Sequence, residues 1–360
     1  MSARGILLAA GGTGGHLFPA ASLAAALRAR GYEVDLATDD RALKYGQEFP
    51  ARAIHAIPSA TPTGAGLASK ALAALELARG TFVARSLIKR LNPLAVVGFG
   101  GYPTVPPLLA AAWLGVPSVL HEQNAVIGRA NKFLAGRVRL IATGFPNLRG
   151  VDARKTRYAG NPVRPAVLAA AETPYPARDG GRLNVLVTGG SQGARVMSDV
   201  VPAALALLTP DERAGLRLTM QARGEDLSRV AAAAAKLSFP VELREFFPDL
   251  PARIAASHLV VGRAGASTVS ELAVIGRPSI LVPFPHALDQ DQAANAAVLA
   301  ASGAATVIMQ TEFTPERLAG LLKAALGEPQ RLEAAAAAAR AAGVPDAAER
   351  LAEAVIGLVG

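Results

Sequence analysis

The sequence predicts two doubly wound α/β domains of related topology, and three observations predict it. Two glycine-rich turns of matching design, Gly11-Gly12-Thr13-Gly14-Gly15-His16 and Gly189-Gly190-Ser191-Gln192-Gly193-Ala194, each leave an apolar, strand-like run. Two later landmarks recur in the same order in each half. Gly98-Phe99-Gly100-Gly101 is matched by Gly262-Arg263-Ala264-Gly265-Ala266, and Gly115-Val116-Pro117-Ser118 by Gly276-Arg277-Pro278-Ser279. Finally, 360 residues of 51% hydrophobic composition suffice for two ordinary cores. Strands alternating with helices, in a pattern written twice, point to two parallel sheets.

The elements follow in order. Arg4 and the apolar run at 5–10 have a superficial likeness to an export signal, but the glycine cluster breaks the run and His16 stands where apolar residues would have to continue. Residues 5–10 are therefore a strand, followed by the glycine turn, a helix over 17–30 and a strand over 33–37. Residues 92–120 are uncharged and long enough to span a bilayer, yet Pro93, Pro103, Pro106, Pro107 and Pro117 interrupt any continuous helix. They read instead as strand 94–97, a glycine turn, a helix and strand 119–120. Prolines 162, 165, 174 and 176 and Asp179-Gly180-Gly181 mark the domain boundary within 161–181. Beyond it lie strands over 183–187, 258–261 and 280–282, with alanine-rich helix at 231–235 and 334–339.

Charge is unevenly placed. Residues 1–160 hold 19 of the 37 Lys and Arg but 8 of the 28 Asp and Glu, a surplus of +11, whereas the remainder carries −2. The first half alone thus faces an acidic partner: nucleic acid, an anionic membrane or an anionic substrate. Aromatic content of 5% and the lack of a nucleic-acid-binding module argue against the first. With no cysteine, disulfides, thiolate catalysis and cysteine-held metals are excluded.

Each glycine turn removes Cβ atoms where a strand meets a helix, so backbone N–H groups and the positive helix end can approach an anion such as a diphosphate. In the first half, His16 ends that turn and His121-Glu122-Gln123-Asn124 follow a strand at the same sheet edge, with Tyr102 close by in sequence to a third strand end. Two histidines, a carboxylate and two amides on one edge suit a general base and a sugar. In the second half, Ser191 lies in the glycine turn, and Ala266-Ser267-Thr268-Val269-Ser270-Glu271 open a helix. That opening suits a diphosphate, with Glu271 in the first turn for ribose hydroxyls, and equally an ordinary N-cap with an acidic first turn. The polar cluster His286, Asp289, Gln292 and Asn295 after Pro283-Phe284-Pro285 suits a sugar. Asp289-Gln290-Asp291 imitates a metal-binding Asp-x-Asp but reads as a helix cap, so neither metal nor other cofactor is expected. The first turn lacks the final small residue of the dinucleotide fingerprint, which disfavours a dehydrogenase.

Together these motifs, with Gly160-Asn161-Pro162-Val163-Arg164, closely resemble the MurG family, the N-acetylglucosaminyltransferases that complete the lipid-linked disaccharide precursor of bacterial peptidoglycan. The resemblance runs from about residue 5 to 295. It implies a GT-B fold of two Rossmann-like domains facing across a cleft: residues 1–162 for the lipid acceptor and membrane, residues 163–343 for UDP-GlcNAc, and a C-terminal helix at 344–360 returning to the first. Thr13, Gly14, Gly15 and Asn124 would contact the donor sugar or its phosphates, and Arg164 and Ser191 the diphosphate. Phe247 would meet uracil through its backbone, Ala266 to Glu271 would hold phosphate and ribose, and Gln292 the GlcNAc hydroxyls. Because 283–292 is one residue longer than the family pattern, Gln290 competes with Gln292 for that role.

The implied reaction moves GlcNAc to the C4 hydroxyl of the muramyl sugar of undecaprenyl-pyrophosphoryl-MurNAc-pentapeptide, with inversion; a GT-B enzyme using another lipid acceptor is the nearest alternative. His16 would be the general base, with Glu122 orienting it or serving instead. The resemblance also gives the basic half its partner, an anionic membrane surface at the cytoplasmic face of the inner membrane, and no nucleic acid. The docking candidate is 67–91, with Leu72, Leu75, Phe82, Leu87 and Ile88 beside Arg79, Arg85, Lys89 and Arg90, joined by Trp113; a plain packed helix is the competing reading.

Overall fold

The structure is a computed structural model that describes residues 5–11, 14–39, 49–60, 66–148, 150–190, 193–237, 239–285 and 290–359. Thr13, Ser191, His286 and Asp289 therefore lie outside the described residues. The chain divides into two compact units, one running to Arg164 and resuming at Pro345, the other Pro165–Val344.

Short apolar runs such as Gly-Ile-Leu-Leu-Ala and Leu-Val-Val-Gly are buried along their whole length, as strands covered on both faces must be. In the first unit these are β1 (Gly5–Ala9), β2 (Glu33–Thr38), β3 (Ala53–Ala56), β4 (Ala95–Gly98), β5 (Ser118–Glu122), β6 (Leu140–Thr143) and β7 (Thr156–Tyr158). They pair in parallel in the order β3-β2-β1-β4-β5-β6-β7. Between them run α1 (Gly14–Ala29), α2 (Leu67–Leu91), α3 (Val105–Leu114) and α4 (Arg129–Ala135).

In the second unit β8 (Leu183–Thr188), β9 (Leu216–Gln221), β10 (Val241–Arg244), β11 (Leu259–Gly262), β12 (Ser279–Leu281) and β13 (Ala305–Val307) pair in parallel as β10-β9-β8-β11-β12-β13. Its helices are α5 (Pro165–Ala171), α6 (Arg195–Ala206), α7 (Pro210–Ala214), α8 (Gly224–Lys236), α9 (Leu250–Ala255), α10 (Ala266–Ile275), α11 (Asp291–Ala301), α12 (Pro315–Gly327) and α13 (Pro329–Ala342). The same inner order in both sheets, with the first strand central and the chain reversing beside it, is the doubly wound topology that the repeated landmarks predict.

Alternate residues of one strand feed opposite faces. Ile6 and Leu8 pack with Leu23 and Leu27 of α1, while Leu7 and Ala9 pack with Leu87, Ile88 and Leu108 of α2 and α3. The last helix, α14 (Ala347–Ile356), returns to the first unit, where Leu351 and Val355 join the α1 side of the core and Arg30 pairs with Glu349 at 2.8 Å. In the second unit Val185 and Val187 pack against Met197 and Val201 of α6 and Leu318 and Leu322 of α12.

Two expectations change. α1 begins at Gly14, not near Leu17, so Gly14, Gly15 and His16 form its first turn rather than the end of a loop. First-turn N–H groups need no helical partner, which makes glycine tolerable there; Pro19, deeper in, leaves the Gly15 carbonyl without its helical donor. The second change concerns α2. Its buried stripe is Ala73, Gly80, Ala84, Leu87 and Ile88, so Leu87 and Ile88 are core residues and not part of any docking face. Gly80 lets the helix close on its neighbours, since a Cβ there would stand 2.0 Å from the Pro58 carbonyl. Off the stripe, Leu72, Leu75, Phe82 and Val83 are exposed, and the Phe82 ring meets the exposed Trp113 of α3 edge-on at 5.6 Å. Among the described residues no helix is long and apolar enough to cross a membrane.

Candidate functional site

At the C-terminal edge of the first sheet, β1, β4 and β5 end together. After β4 the chain passes through Gly100 (φ +88°) and Gly101 (φ +72°), which only glycine adopts without strain. A Cβ on Gly100 would lie 3.1 Å from Asn131 Nδ2 and 3.5 Å from the His16 ring, and one on Gly101 3.4 Å from His16 Nε2. The glycines thus let His16, on the first turn of α1, lie against backbone. Burial lowers the His16 pKa below its ordinary 6.5, opposed by the Phe99 carbonyl and the Gln123 side chain. Its Nδ1 is buried without a hydrogen-bond partner among the described residues. A neutral imidazole can accept a proton.

β5 delivers His121 and Glu122. His121 is fully buried, its ring 5.5 Å from that of Phe99, and Nε2 donates to the Gly160 carbonyl at 3.0 Å. Since a carbonyl only accepts, the neutral ring carries its proton on Nε2, leaving a buried lone pair on Nδ1 that has no partner among the described residues. Burial brings its pKa down to about 4. Glu122 behaves differently from the expectation that it orients His16 or replaces it as base. Its Oε1 accepts from the Asn124 N–H at 2.9 Å and from Asn124 Nδ2 at 3.4 Å, and its Oε2 from the Gly128 N–H at 2.9 Å and Asn131 Nδ2 at 2.7 Å. The carboxylate organises the loop from β5 into α4, and burial raises its pKa against those four donors. His16 is framed instead by Phe99 and Gln123, and Gln123 Nε2 donates to the Phe99 carbonyl at 3.0 Å.

The remaining first-unit candidates flank this edge. Tyr102 is half-buried in the single turn before α3. Arg164 also belongs to the first unit, with its guanidinium 5.0 Å over the ring of Phe18, while Ser22 Oγ donates to the neighbouring Val163 carbonyl at 2.9 Å. Gln123, one of the two amides that the sequence offers to a sugar, turns to the Phe99 carbonyl instead. Asn131 is absent from the candidates read off the sequence, and nothing around it there marks it.

In the second sheet the glycine turn after β8 differs from the cradle of free N–H groups that the sequence suggests. The Gly189 N–H donates to Gln221 Oε1 at 3.2 Å, the Gly190 N–H to Thr188 Oγ1 at 3.3 Å and the Gly193 N–H to the Gly190 carbonyl at 3.1 Å. These glycines supply shape: Gly190 and Gly193 have φ of +79° and +69°, and a Cβ on Gly189 would stand 2.2 Å from the Ala194 nitrogen. Among the described residues of the turn, the N–H groups of Gly189, Gly190 and Gly193 are thus already engaged.

α10 offers N–H groups at this edge, since its N-cap residue, Gly265, has no side chain to cap the first turn. Ala266, Ser267 and Thr268 are half-buried there, and Val269, Ser270 and Glu271 are buried. Glu271 falls in the second turn, not the first; helical side chains lean toward the N-terminus, which still aims it toward the helix start. Phe247 follows β10, buried under the Arg253 guanidinium at 4.3 Å. Gln292, in the first turn of α11, uses Oε1 to accept from the Ala264 N–H at 3.3 Å and the Phe284 N–H at 3.0 Å, and its Nε2 takes part in neither bond. Gln290 precedes the helix at φ +51°. Asn295 is fully buried and donates to the Ala264 carbonyl, a structural role.

Two family models cover these sheets: the glycosyltransferase family 28 N-terminal domain matches residues 6–143 and the family 28 C-terminal domain residues 184–351. The chain belongs to glycosyltransferase family 28. It is 61% identical over 356 residues, 98% of this chain and 96% of the other, to the UDP-N-acetylglucosamine--N-acetylmuramyl-(pentapeptide) pyrophosphoryl-undecaprenol N-acetylglucosamine transferase of Methylobacterium sp. (strain 4-46). The enzyme of the same name from Methylobacterium nodulans is 59% identical over 98% of this chain and 96% of its own length. Among solved structures, Acinetobacter baumannii MurG superposes with a TM-score of 0.82 at 29% identity, covering 98% of this chain and 99% of that one. This family 28 chain is a glycosyltransferase, and its two domains carry the GT-B fold.

Proposed function

We propose that this chain transfers GlcNAc from UDP-GlcNAc to the C4 hydroxyl of the muramyl sugar of undecaprenyl-pyrophosphoryl-MurNAc-pentapeptide, forming a β-1,4 linkage with inversion. The observation that carries it is identity of 61% across 98% of the chain to a transferase named for that reaction. His16 is the general base: it takes the C4 proton as that oxygen attacks the anomeric carbon, and the electrons of the breaking C1–O bond leave with UDP. Thr13, Gly14, Gly15 and Asn124 contact the donor sugar or phosphates, and Arg164 and Ser191 bind the diphosphate. The Phe247 backbone reads uracil, Ala266 to Glu271 hold phosphate and ribose, and Gln292 uses Nε2 on the GlcNAc. Growing charge on UDP is met by Arg164 and the α10 N-terminus. Tyr102 adds a phenol on the acceptor side.

Among several nucleotide sugars, UDP-GlcNAc should raise the melting temperature of the purified protein most, by the mass-action stabilisation that specific binding brings. Transfer of labelled GlcNAc to the lipid-linked muramyl-pentapeptide, and not to other lipid-linked sugars, completes the test. An equal response to all nucleotide sugars would remove the donor assignment.

The acceptor is membrane-anchored, and the first unit carries both the basic surplus and the exposed patch of Leu72, Leu75, Phe82, Val83 and Trp113. Arg85 stacks 4.7 Å over Trp113, and Arg79, Lys89 and Arg90 lie on the same helix. We assign this patch to docking on the anionic cytoplasmic face of the inner membrane, with apolar residues entering the interface and cations meeting the headgroups. Replacing both Phe82 and Trp113 by glutamate should lower sedimentation with anionic vesicles about tenfold, and added salt should weaken wild-type binding. Sedimentation indifferent to anionic lipid and to salt would count against the assignment.

A further inference from the structure

Gln221 closes β9, and both ends of its buried side-chain amide are fully used. Oε1 accepts from the Thr188 hydroxyl at 2.9 Å and from the Gly189 N–H at 3.2 Å, while Nε2 donates to the Gly190 carbonyl at 3.0 Å and the Glu245 carbonyl at 3.2 Å. Turning the amide over would set its oxygen against two carbonyls and its NH₂ against an N–H donor, so the orientation is dictated by its partners. A central strand end thereby joins the stretches that follow its two neighbours: Gly189-Gly190 after β8, and Glu245, two residues before Phe247, after β10.

We infer that Gln221 is a positioning residue of the nucleotide site, holding the diphosphate turn in register with the segment that meets the nucleobase. The inference rests on the donor site proposed above. Glycine-rich backbone has several conformations of similar energy, and a turn with two positive-φ glycines holds one of them only if something selects it. Thr188 and Gln221 make that selection by engaging the N–H of Gly189, the N–H of Gly190 and the carbonyl of Gly190. A nucleoside diphosphate is a ligand whose base and phosphates are linked at a set spacing, so it binds best when the two protein segments already have that spacing. Gln221 touches neither part of the ligand; it determines the distance between the groups that do.

The test compares the full-length protein with Gln221→Ala and with Gln221→Glu, which keeps the size and both accepting bonds but sets an oxygen against the Gly190 and Glu245 carbonyls. Calorimetry with UDP and steady-state kinetics with UDP-GlcNAc are the readouts. In both variants Kd for UDP and KM for the donor should rise about tenfold or more, while KM for the lipid acceptor stays within about twofold, because the disturbed groups belong to the donor half alone. A lowered melting temperature with both KM values unchanged would mean that the amide only supports the fold, and the inference would be overturned. Should Gln221→Ala not fold, the near-isosteric Gln221→Glu carries the same comparison. Wild-type protein that fails to bind UDP would remove the donor site itself, whereas a wild type and folded variants that bind UDP equally well would remove only the role of Gln221.

Discussion

His16→Ala lowers kcat by about 10²–10⁴-fold, the usual contribution of a positioned general base, while the dissociation constant for UDP-GlcNAc changes little. Gly100 and Gly101 lack the Cβ atoms that would crowd the space the imidazole fills. Burial then disfavours the imidazolium, so the folded-state pKa lies below 6.5 and the ring is neutral and ready to take a proton at neutral pH. The sign carries into the pH profile. Since the active form is unprotonated, kcat/KM falls on acidification through the His16 pKa, and because that pKa is lowered, the acidic limb lies below the range of an ordinary histidine. His121, with a pKa of about 4, stays neutral beside it, and charge on either ring opposes charge on the other. Steady-state kinetics between acid and neutral pH, with calorimetry of donor binding, read both parts. Near-normal turnover in His16→Ala, or an acidic limb above the ordinary histidine range, would remove His16 as the base.

Much of this was legible in the sequence because backbone turns write themselves as glycine. The runs after β1, β4, β8 and β11 revealed the duplicated sheets and the edges where chemistry gathers, and His16 and His121 stood beside them. What glycine spacing does not show is which N–H groups a turn keeps for itself. Gly189, Gly190 and Gly193 look like donors in the sequence and are bonded internally in the structure, because Gln221, about thirty residues away, is brought beside them by parallel pairing of β8 with β9. Glu122 departs from its expected role toward His16 for a related reason: a carboxylate and a histidine at one sheet edge suggest a base with its orienting partner, but four donors from Asn124, Gly128 and Asn131 arrive only when the loop folds. On α2, composition mixed apolar and basic residues without an evident stripe. The stripe is built from Ala73, Gly80 and Ala84 as much as from Leu87 and Ile88, and small residues carry little hydropathy signal.

Arg277→Ala destabilises the second domain by about 3–5 kcal/mol, the scale for removing one partner of a buried charged network. Arg277 is 1% exposed and has no carboxylate partner among the described residues. Its Nε and Nη2 donate to the Ala255 carbonyl at the end of α9, its Nη1 to the Ile275 and Gly276 carbonyls at the end of α10, and its Nη2 also to the Thr173 and Pro174 carbonyls beyond α5. Those of Ala255, Ile275 and Gly276 are the orphan carbonyls that helix ends leave behind, and a cation there also meets the negative end of two helix dipoles. The Tyr175 ring lies 5.6 Å from the guanidinium and completes the enclosure. Burial lowers the Arg277 pKa to about 10, still high enough for full charge at neutral pH. Alanine would take a donor from five backbone carbonyls, of which Ile275 alone, among the described residues, keeps another, from Arg340 at 3.4 Å, and Arg277→Lys, with three donors on one nitrogen, should recover only part of the loss. Denaturant unfolding followed in both variants measures the difference. A midpoint unchanged in Arg277→Ala would show that water takes over those carbonyls. The expected loss carries a functional consequence as well, because the helix anchored at its C-terminus by Arg277 offers Ala266 to Glu271 at its other end: donor affinity should weaken in Arg277→Ala as α10 loosens, though by less than stability falls.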